Sequence, residues 1–142
     1  MSMFRIKEEE TVGQESDRLS KSRILLVDDN DLSREIASEL LSMHGFIVEQ
    51  ATDGAEAVNC FLNHEEGYYG VILMDVRMPV MDGYEAARTI RKSSRSDALY
   101  IPIIAMTANS FPSDRQRAKE AGISQFVEKP LDMKVFFRFL KC

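Results

Sequence analysis

The chain has 142 residues, 44% of them hydrophobic and 29% charged, with a formal net charge of -5. That length holds one domain with a real core, and the absence of a basic surplus argues against nucleic-acid binding by the chain itself. Cys60 and Cys142 lack metal or redox spacing and fit a reducing cytosol better than a disulfide framework. No apolar run is long enough to span a bilayer, and the amino terminus lacks the apolar core of a signal peptide, so a cytoplasmic location or a cytoplasmic part of a larger sensor is expected, with no membrane contact by this segment.

Residues 1–22 are polar, carry Glu8-Glu9-Glu10, and lack sustained periodicity. This composition reads as a flexible leader or linker, and residues 23–142 as the globular domain. Ile24-Leu25-Leu26-Val27 predicts a buried strand that ends in Asp28-Asp29. Asn30 or Asp31 can cap the next helix, whose apolar stripe is Ala37, Leu40, Leu41 and His44, stopped by Gly45. A second strand is predicted over 46–51. Asp53 then precedes a helix with Ala57, Val58, Phe61 and Leu62 on one side.

The stretch 71–83, VILMDVRMPVMDG, is the most informative. Four apolar residues, Val71-Ile72-Leu73-Met74, run without polar alternation into Asp75. Such a strand is buried on both faces, yet it ends in a carboxylate, and open α/β sheets place their ligands at the carboxyl ends of strands. Met78-Pro79 and Asp82-Gly83 mark a tight loop. A third helix is predicted over 84–92, a polar loop over 93–98, and a fourth strand over 101–106 that runs into Thr107. Pro112 suits the first turn of a fourth helix ended by Gly122. A last strand over 125–128 runs into Lys129-Pro130, and Asp132 caps a final helix carrying Val135, Phe136, Phe139 and Leu140.

Strands alternate with helices five times along the chain. This pattern predicts an α/β fold, a doubly wound, mostly parallel sheet with helices on both faces. The strand ends then deliver Asp28 and Asp29, Asp75, Thr107, and Lys129 to one edge. Each alone could be a cap or a turn. Together they crowd like charges, which costs energy unless a cation belongs there. Oxygen ligands without imidazole suit a hard ion such as Mg²⁺. One carboxylate remains free as a nucleophile, while Lys129 and Thr107 can hold oxygens of a transferred phosphoryl group.

These motifs resemble the receiver domain of two-component response regulators, over about residues 23–140. Val27-Asp28-Asp29-Asn30 is similar to that family's acidic pair, and the segment from Met74 through Asp75 to Gly83 to its phosphoacceptor segment. Ala105-Met106-Thr107-Ala108-Asn109 is similar to its switch segment, and Phe126-Val127-Glu128-Lys129-Pro130 to its lysine segment. The resemblance implies a flavodoxin-like strand order 2-1-3-4-5. It implies phosphorylation of Asp75, with Mg²⁺ held by Asp29, Asp75 and the Arg77 backbone carbonyl, and by Asp28 through water. It implies that Thr107 and Lys129 hold phosphoryl oxygens and that a cis peptide precedes Pro130. Phe126 takes the place of a switch aromatic that is often Tyr, and it lacks that hydroxyl. The implied donor is a phosphohistidine on a histidine kinase or a histidine phosphotransfer protein.

The wording of the segments around Asp75 and Thr107, together with the polar leader, resembles the receivers of hybrid sensor histidine kinases. A free single-domain regulator is the other reading. No output domain is expected after Leu140. Two rival functions compete. Asp29 and Asp31 form an Asp-x-Asp after a strand, which resembles the nucleophile motif of haloacid-dehalogenase-like phosphohydrolases, but no later acidic cluster or cap domain accompanies it. A flavin- or nucleotide-binding module on the same fold would need a Gly-rich loop after the first strand, which is missing.

Overall fold

The computed structural model describes residues 23–108 and 112–140. The expected leader over 1–22, Asn109 and Cys142 lie outside the described residues. Among the described residues five strands form one sheet: β1 (Arg23–Val27), β2 (Ile47–Ala51), β3 (Val71–Asp75), β4 (Ile103–Thr107) and β5 (Gln125–Glu128). Their order is β2-β1-β3-β4-β5 and every pairing is parallel. Five helices among the described residues connect and follow them: α1 (Asp31–Met43), α2 (Gly54–Asn63), α3 (Gly83–Lys92), α4 (Pro112–Ala121) and α5 (Met133–Leu140).

The strand sequences explain the two-sided core. In β3 all five residues are buried, which only a strand covered on both faces achieves. Its side chains alternate between two clusters. Ile72 and Met74 join Leu25, Ile103 and Phe61 on the side of α2, α3 and α4. Val71 and Leu73 join Ile24, Leu26, Leu41 and Phe136 on the side of α1 and α5. β2 lies at the sheet edge and buries only Ala51 fully.

Local signals set the helix starts. Asn30, not Asp31, caps α1 by accepting from the Ser33 amide. Asp53 and Asp82 do the same for the Glu56 and Glu85 amides at α2 and α3. Asp132 accepts from the Lys134 amide at α5. Several expected positions differ. His44 does not join the buried stripe of α1; it is an exposed carboxyl-terminal cap whose Nδ1 lies 3.0 Å from the Leu40 carbonyl oxygen. Leu62 is 42% exposed because α2 turns it past the edge of the core. β4 starts two residues later than expected, since Pro102 has no N–H for the ladder, although its carbonyl accepts from the Ile72 amide. The polar loop after α3 contains a 3-10 turn, Ser96–Leu99, which buries Ala98.

The loop that follows Asp75 is tightly constrained. The Met81 amide donates to the Pro79 carbonyl at 2.7 Å, closing a three-residue turn around Val80 at φ 68°. A β-branched residue disfavours that region. The Met81 carbonyl accepts from the Gly54 amide at the start of α2. At Gly83 a Cβ would lie 2.5 Å from the Asp75 carbonyl oxygen, so only glycine allows α3 to start against the end of β3. Two substitutions should therefore act in opposite directions in urea denaturation. Val80→Asn should raise stability by about 1 kcal/mol, because Asn tolerates the left-handed region. Gly83→Ala should lower it by about 2 kcal/mol or more, through a backbone clash. Equal stabilities for all three proteins would contradict this account of the loop.

Candidate functional site

Four carboxyl-terminal strand ends meet at one edge of the sheet. β1 delivers Asp28 and Asp29, β3 Asp75, β4 Thr107, and the residue after β5 is Lys129. Pairing of Asp75 with Met106 and of Thr107 with Glu128 puts these ends level. The Lys129 amide donates to the Thr107 carbonyl at 2.7 Å, and the peptide between Lys129 and Pro130 is cis, as the resemblance implied.

One ammonium joins the two buried acids. Lys129 Nζ lies 2.9 Å from Asp28 Oδ2 and 2.9 Å from Asp75 Oδ2. Asp28 is fully buried; its Oδ1 accepts from the Asn30 amide and its Oδ2 also accepts from the Ser33 hydroxyl at 2.7 Å. Asp75 is 7% exposed, and its Oδ1 accepts from the Arg77 amide at 3.1 Å. Asp29 is exposed, yet one oxygen each from Asp28, Asp29 and Asp75 lie within 4.8 Å of one another. Thr107 is buried at the end of β4.

The two buried carboxyls differ electrostatically. Burial pushes Asp28 up, but the Lys129 ammonium, the Asn30 amide and the Ser33 hydroxyl outweigh it and hold the group below the ordinary carboxylate value. For Asp75 burial wins over the Arg77 amide and Lys129, and the nearby Asp28 charge adds to it, so its carboxyl sits above the ordinary value. Burial alone would lower Lys129; hydrogen bonds to both acids raise it instead.

Three carboxylates face a single ammonium, so the cluster carries uncompensated negative charge. Carboxylate oxygens with no imidazole or thiolate suit a hard divalent cation. Thus the donor set fits Mg²⁺. The expected residues Asp28, Asp29, Asp75, Thr107 and Lys129 all reach this edge. Phe126, the expected switch aromatic, is half-buried in β5 beneath the Arg115 guanidinium at 5.3 Å. Asp31, half of the rival Asp-x-Asp, does not join them; its side chain is 90% exposed and pairs with Arg34 on the outside of α1. Two contributors were missed by sequence reasoning. Ser33 is one, and its signal was its place one turn into α1 after the acidic pair. The other is the ion pair of Arg77 with Asp114, 3.1 Å apart, whose partners are too distant in sequence to suggest each other.

Comparisons with known proteins agree with this geometry. The model of the response regulator receiver domain family matches residues 24–141. A hybrid signal transduction histidine kinase B from Dictyostelium discoideum is 40% identical over 118 residues, which cover 77% of this chain and 6% of that protein. The chain thus spans a small part of such relatives. A solved receiver domain of the sensor histidine kinase PA1611 from Pseudomonas aeruginosa PAO1, with a magnesium ion coordinated in its active site cleft, is 36% identical with a TM-score of 0.73, covering 84% of this chain and 93% of that one. A receiver domain of a Saccharomyces cerevisiae response regulator, crystallised with its histidine phosphotransfer signaling protein, is 27% identical with a TM-score of 0.72 over 84% of this chain and 86% of that one. Parallel strands in this order, acids and a lysine gathered at their ends, and a family match over nearly the whole described chain have one common explanation: this chain belongs to the response regulator receiver domains of two-component phosphorelays.

Proposed function

We propose that Asp75 is the phosphoacceptor and that Asp28, Asp29, Asp75 and the Arg77 backbone carbonyl hold Mg²⁺ beside it, Asp28 through water. The observation that carries this reading is the pair of 2.9 Å contacts from Lys129 to Asp28 and Asp75, with three acid oxygens within 4.8 Å. Bound Mg²⁺ supplies neutralisation of charge on the transferring oxygens. An Asp75 carboxylate oxygen forms the new bond to phosphorus. The phosphorus–nitrogen bond to the donor imidazole breaks, and that nitrogen leaves with the electron pair. Lys129 holds one phosphoryl oxygen and the Thr107 hydroxyl another. Thr107 moves toward the new anion and leaves room that Phe126 fills, shifting the surface of α4, β5 and α5 between two populations.

The donor is a histidine kinase or a histidine phosphotransfer protein. A groove of about 590 Å³ beside the site supports this reading. Leu32, Ile36, Leu40 and Leu131 line it, and it reaches Lys129. Leu32 is 70% and Ile36 57% exposed, far more than a helix needs for its own packing. A donor helix seated there would bring its phosphohistidine to Asp75. Among the described residues no helix is long and apolar enough to cross a membrane. The reading is of a cytoplasmic module, from a hybrid histidine kinase or a free-standing regulator, with residues 1–22 as a tether.

The electrostatics give a stability test. An ionised Asp75 is disfavoured in the folded state, since its carboxyl is raised above 3.8. The native state thus loses stability as pH rises through that group's titration. Asp28 has the opposite sign: its contribution is present above 3.8 and is lost as pH falls below it. Without Mg²⁺ at pH 7, Asp75→Asn should stabilise the fold by about 1 kcal/mol and Asp28→Asn destabilise it by a similar amount. The Asp75→Asn gain should fade near pH 3. A destabilised Asp75→Asn protein would overturn the assigned electrostatics.

The function has two direct tests. Incubation with acetyl phosphate and Mg²⁺ should add one phosphoryl group by intact mass; chelation or Asp75→Asn should abolish it. An equal gain in Asp75→Asn, or steady phosphate release from an added ester, would favour the phosphohydrolase rival. Ile36→Glu should slow transfer from a phosphorylated histidine phosphotransfer protein about tenfold, worth about 1.4 kcal/mol, while labelling by acetyl phosphate stays unchanged. Unchanged protein-to-protein transfer would remove the groove from the proposal.

A further inference from the structure

Arg77 stands between two anions. Its backbone amide donates to Asp75 Oδ1 at 3.1 Å. Its side chain turns away, and one guanidinium nitrogen lies 3.2 and 3.1 Å from the two carboxylate oxygens of Asp114. Asp114 sits in the first turn of α4 and is only 5% exposed. The Tyr84 hydroxyl of α3 lies 3.4 Å from both the carbonyl and a carboxylate oxygen of Asp114. The Arg117 guanidinium stacks 4.2 Å over the Tyr84 ring. Thus α4 begins on a polar knot, and Arg77 is its link to the strand end that carries Asp75.

The two members of the ion pair are unequal. The Arg77 side chain is 61% exposed and that of Asp114 7%. The cation can swing into solvent on its long stem, whereas the carboxylate is fixed by its helix. A buried carboxylate that loses its counter-charge is unfavourable where it stands. The rest of α4 offers little to resist the change, because among its described side chains the buried apolar ones are the small Ala118 and Ala121.

We propose that Arg77 is a positioning residue that couples the state of Asp75 to α4 by exchanging anions. In the unphosphorylated domain it pairs with Asp114 and holds the first turn of α4 down. A phosphoryl group on Asp75, two residues away, brings about two negative charges and oxygens that match a guanidinium fork. Arg77 turns to those oxygens, Asp114 gives up the counter-charge of that guanidinium, and the first turn of α4 loosens. This route needs no hydroxyl at Phe126. It rests on the reading of Asp75 as phosphoacceptor, and the test separates the two.

The test is hydrogen exchange followed by mass spectrometry on the full chain, with Mg²⁺ and beryllofluoride standing in for the phosphoryl group. Fluorine NMR reports whether beryllofluoride binds. In the natural protein, exchange over residues 112–118 should rise about threefold or more on binding. Arg77→Ala and Asp114→Asn should show that raised exchange already without beryllofluoride and little further increase with it. Arg77→Lys, which keeps a charge, should restore slow basal exchange. Bound beryllofluoride with no change over 112–118, or the same rise from the same baseline in Arg77→Ala, overturns the coupling and leaves the phosphoacceptor reading intact. No bound beryllofluoride in the natural protein overturns both.

Discussion

The crowding of Asp28 and Asp75 around one ammonium is the constraint on which the rest of this domain depends. Lys129 reaches both acids at 2.9 Å, from a residue separated from Asp28 by 101 positions in the chain. Such a contact exists only if β1, β3 and β5 end level with one another. The parallel register supplies that condition, pairing Val27 with Met74, Asp75 with Met106, and Thr107 with Glu128. The apolar alternation of the strands therefore serves chemistry as well as packing. The register must hold, because a slip by one residue would swap side chains between the two buried clusters and separate the acids.

Unequal treatment of the two acids gives the site its polarity. Asp28 is satisfied by the Asn30 amide, the Ser33 hydroxyl and Lys129, so its charge is stable. Asp75 receives the Arg77 amide and a share of the same lysine, and burial dominates its titration. A carboxylate that its surroundings stabilise poorly is the one with most to gain from a metal ion or from a bond to phosphorus. The loop beyond it is held by Gly54 and Gly83, where neighbouring backbone leaves no room for a Cβ. That close fit fixes the Asp75 backbone against α3 and limits how far the carboxylate can retreat from its neighbours.

Much of this was legible in the sequence, for a physical reason. A polar residue that ends an uninterrupted apolar run breaks the burial rule, and Asp28, Asp75 and Thr107 each do so. The cap at Asp132 followed from local hydrogen bonding, which acts over a few residues; in the sequence Asp53 stands before its helix and Asp82 in the turn before α3, and the structure makes both of them caps. Strand order did not follow from periodicity, because repeated β–α units fit several orders; it came through the family resemblance. The fourth strand began late because Pro102 has no N–H to give the ladder, although its carbonyl still accepts from the Ile72 amide. His44 matched the helical stripe by spacing, but α1 ends there and its ring turns to the Leu40 carbonyl.

The Arg77–Asp114 pair was not legible, and the cause is instructive. Its partners lie 37 positions apart, on a loop and on a helix whose apolar pattern is weak. Nothing in either local sequence marks the other. Local chemistry predicts caps and turns, and periodicity predicts which faces are buried. Neither predicts a polar contact between elements that meet only through the sheet. Such contacts are also the cheapest to change: the ladder that fixes Asp75 cannot shift without unpairing strands, whereas a guanidinium can trade one anion for another by rotating its own side chain. A domain that must keep its site rigid and still alter its surface has reason to place the movable link there.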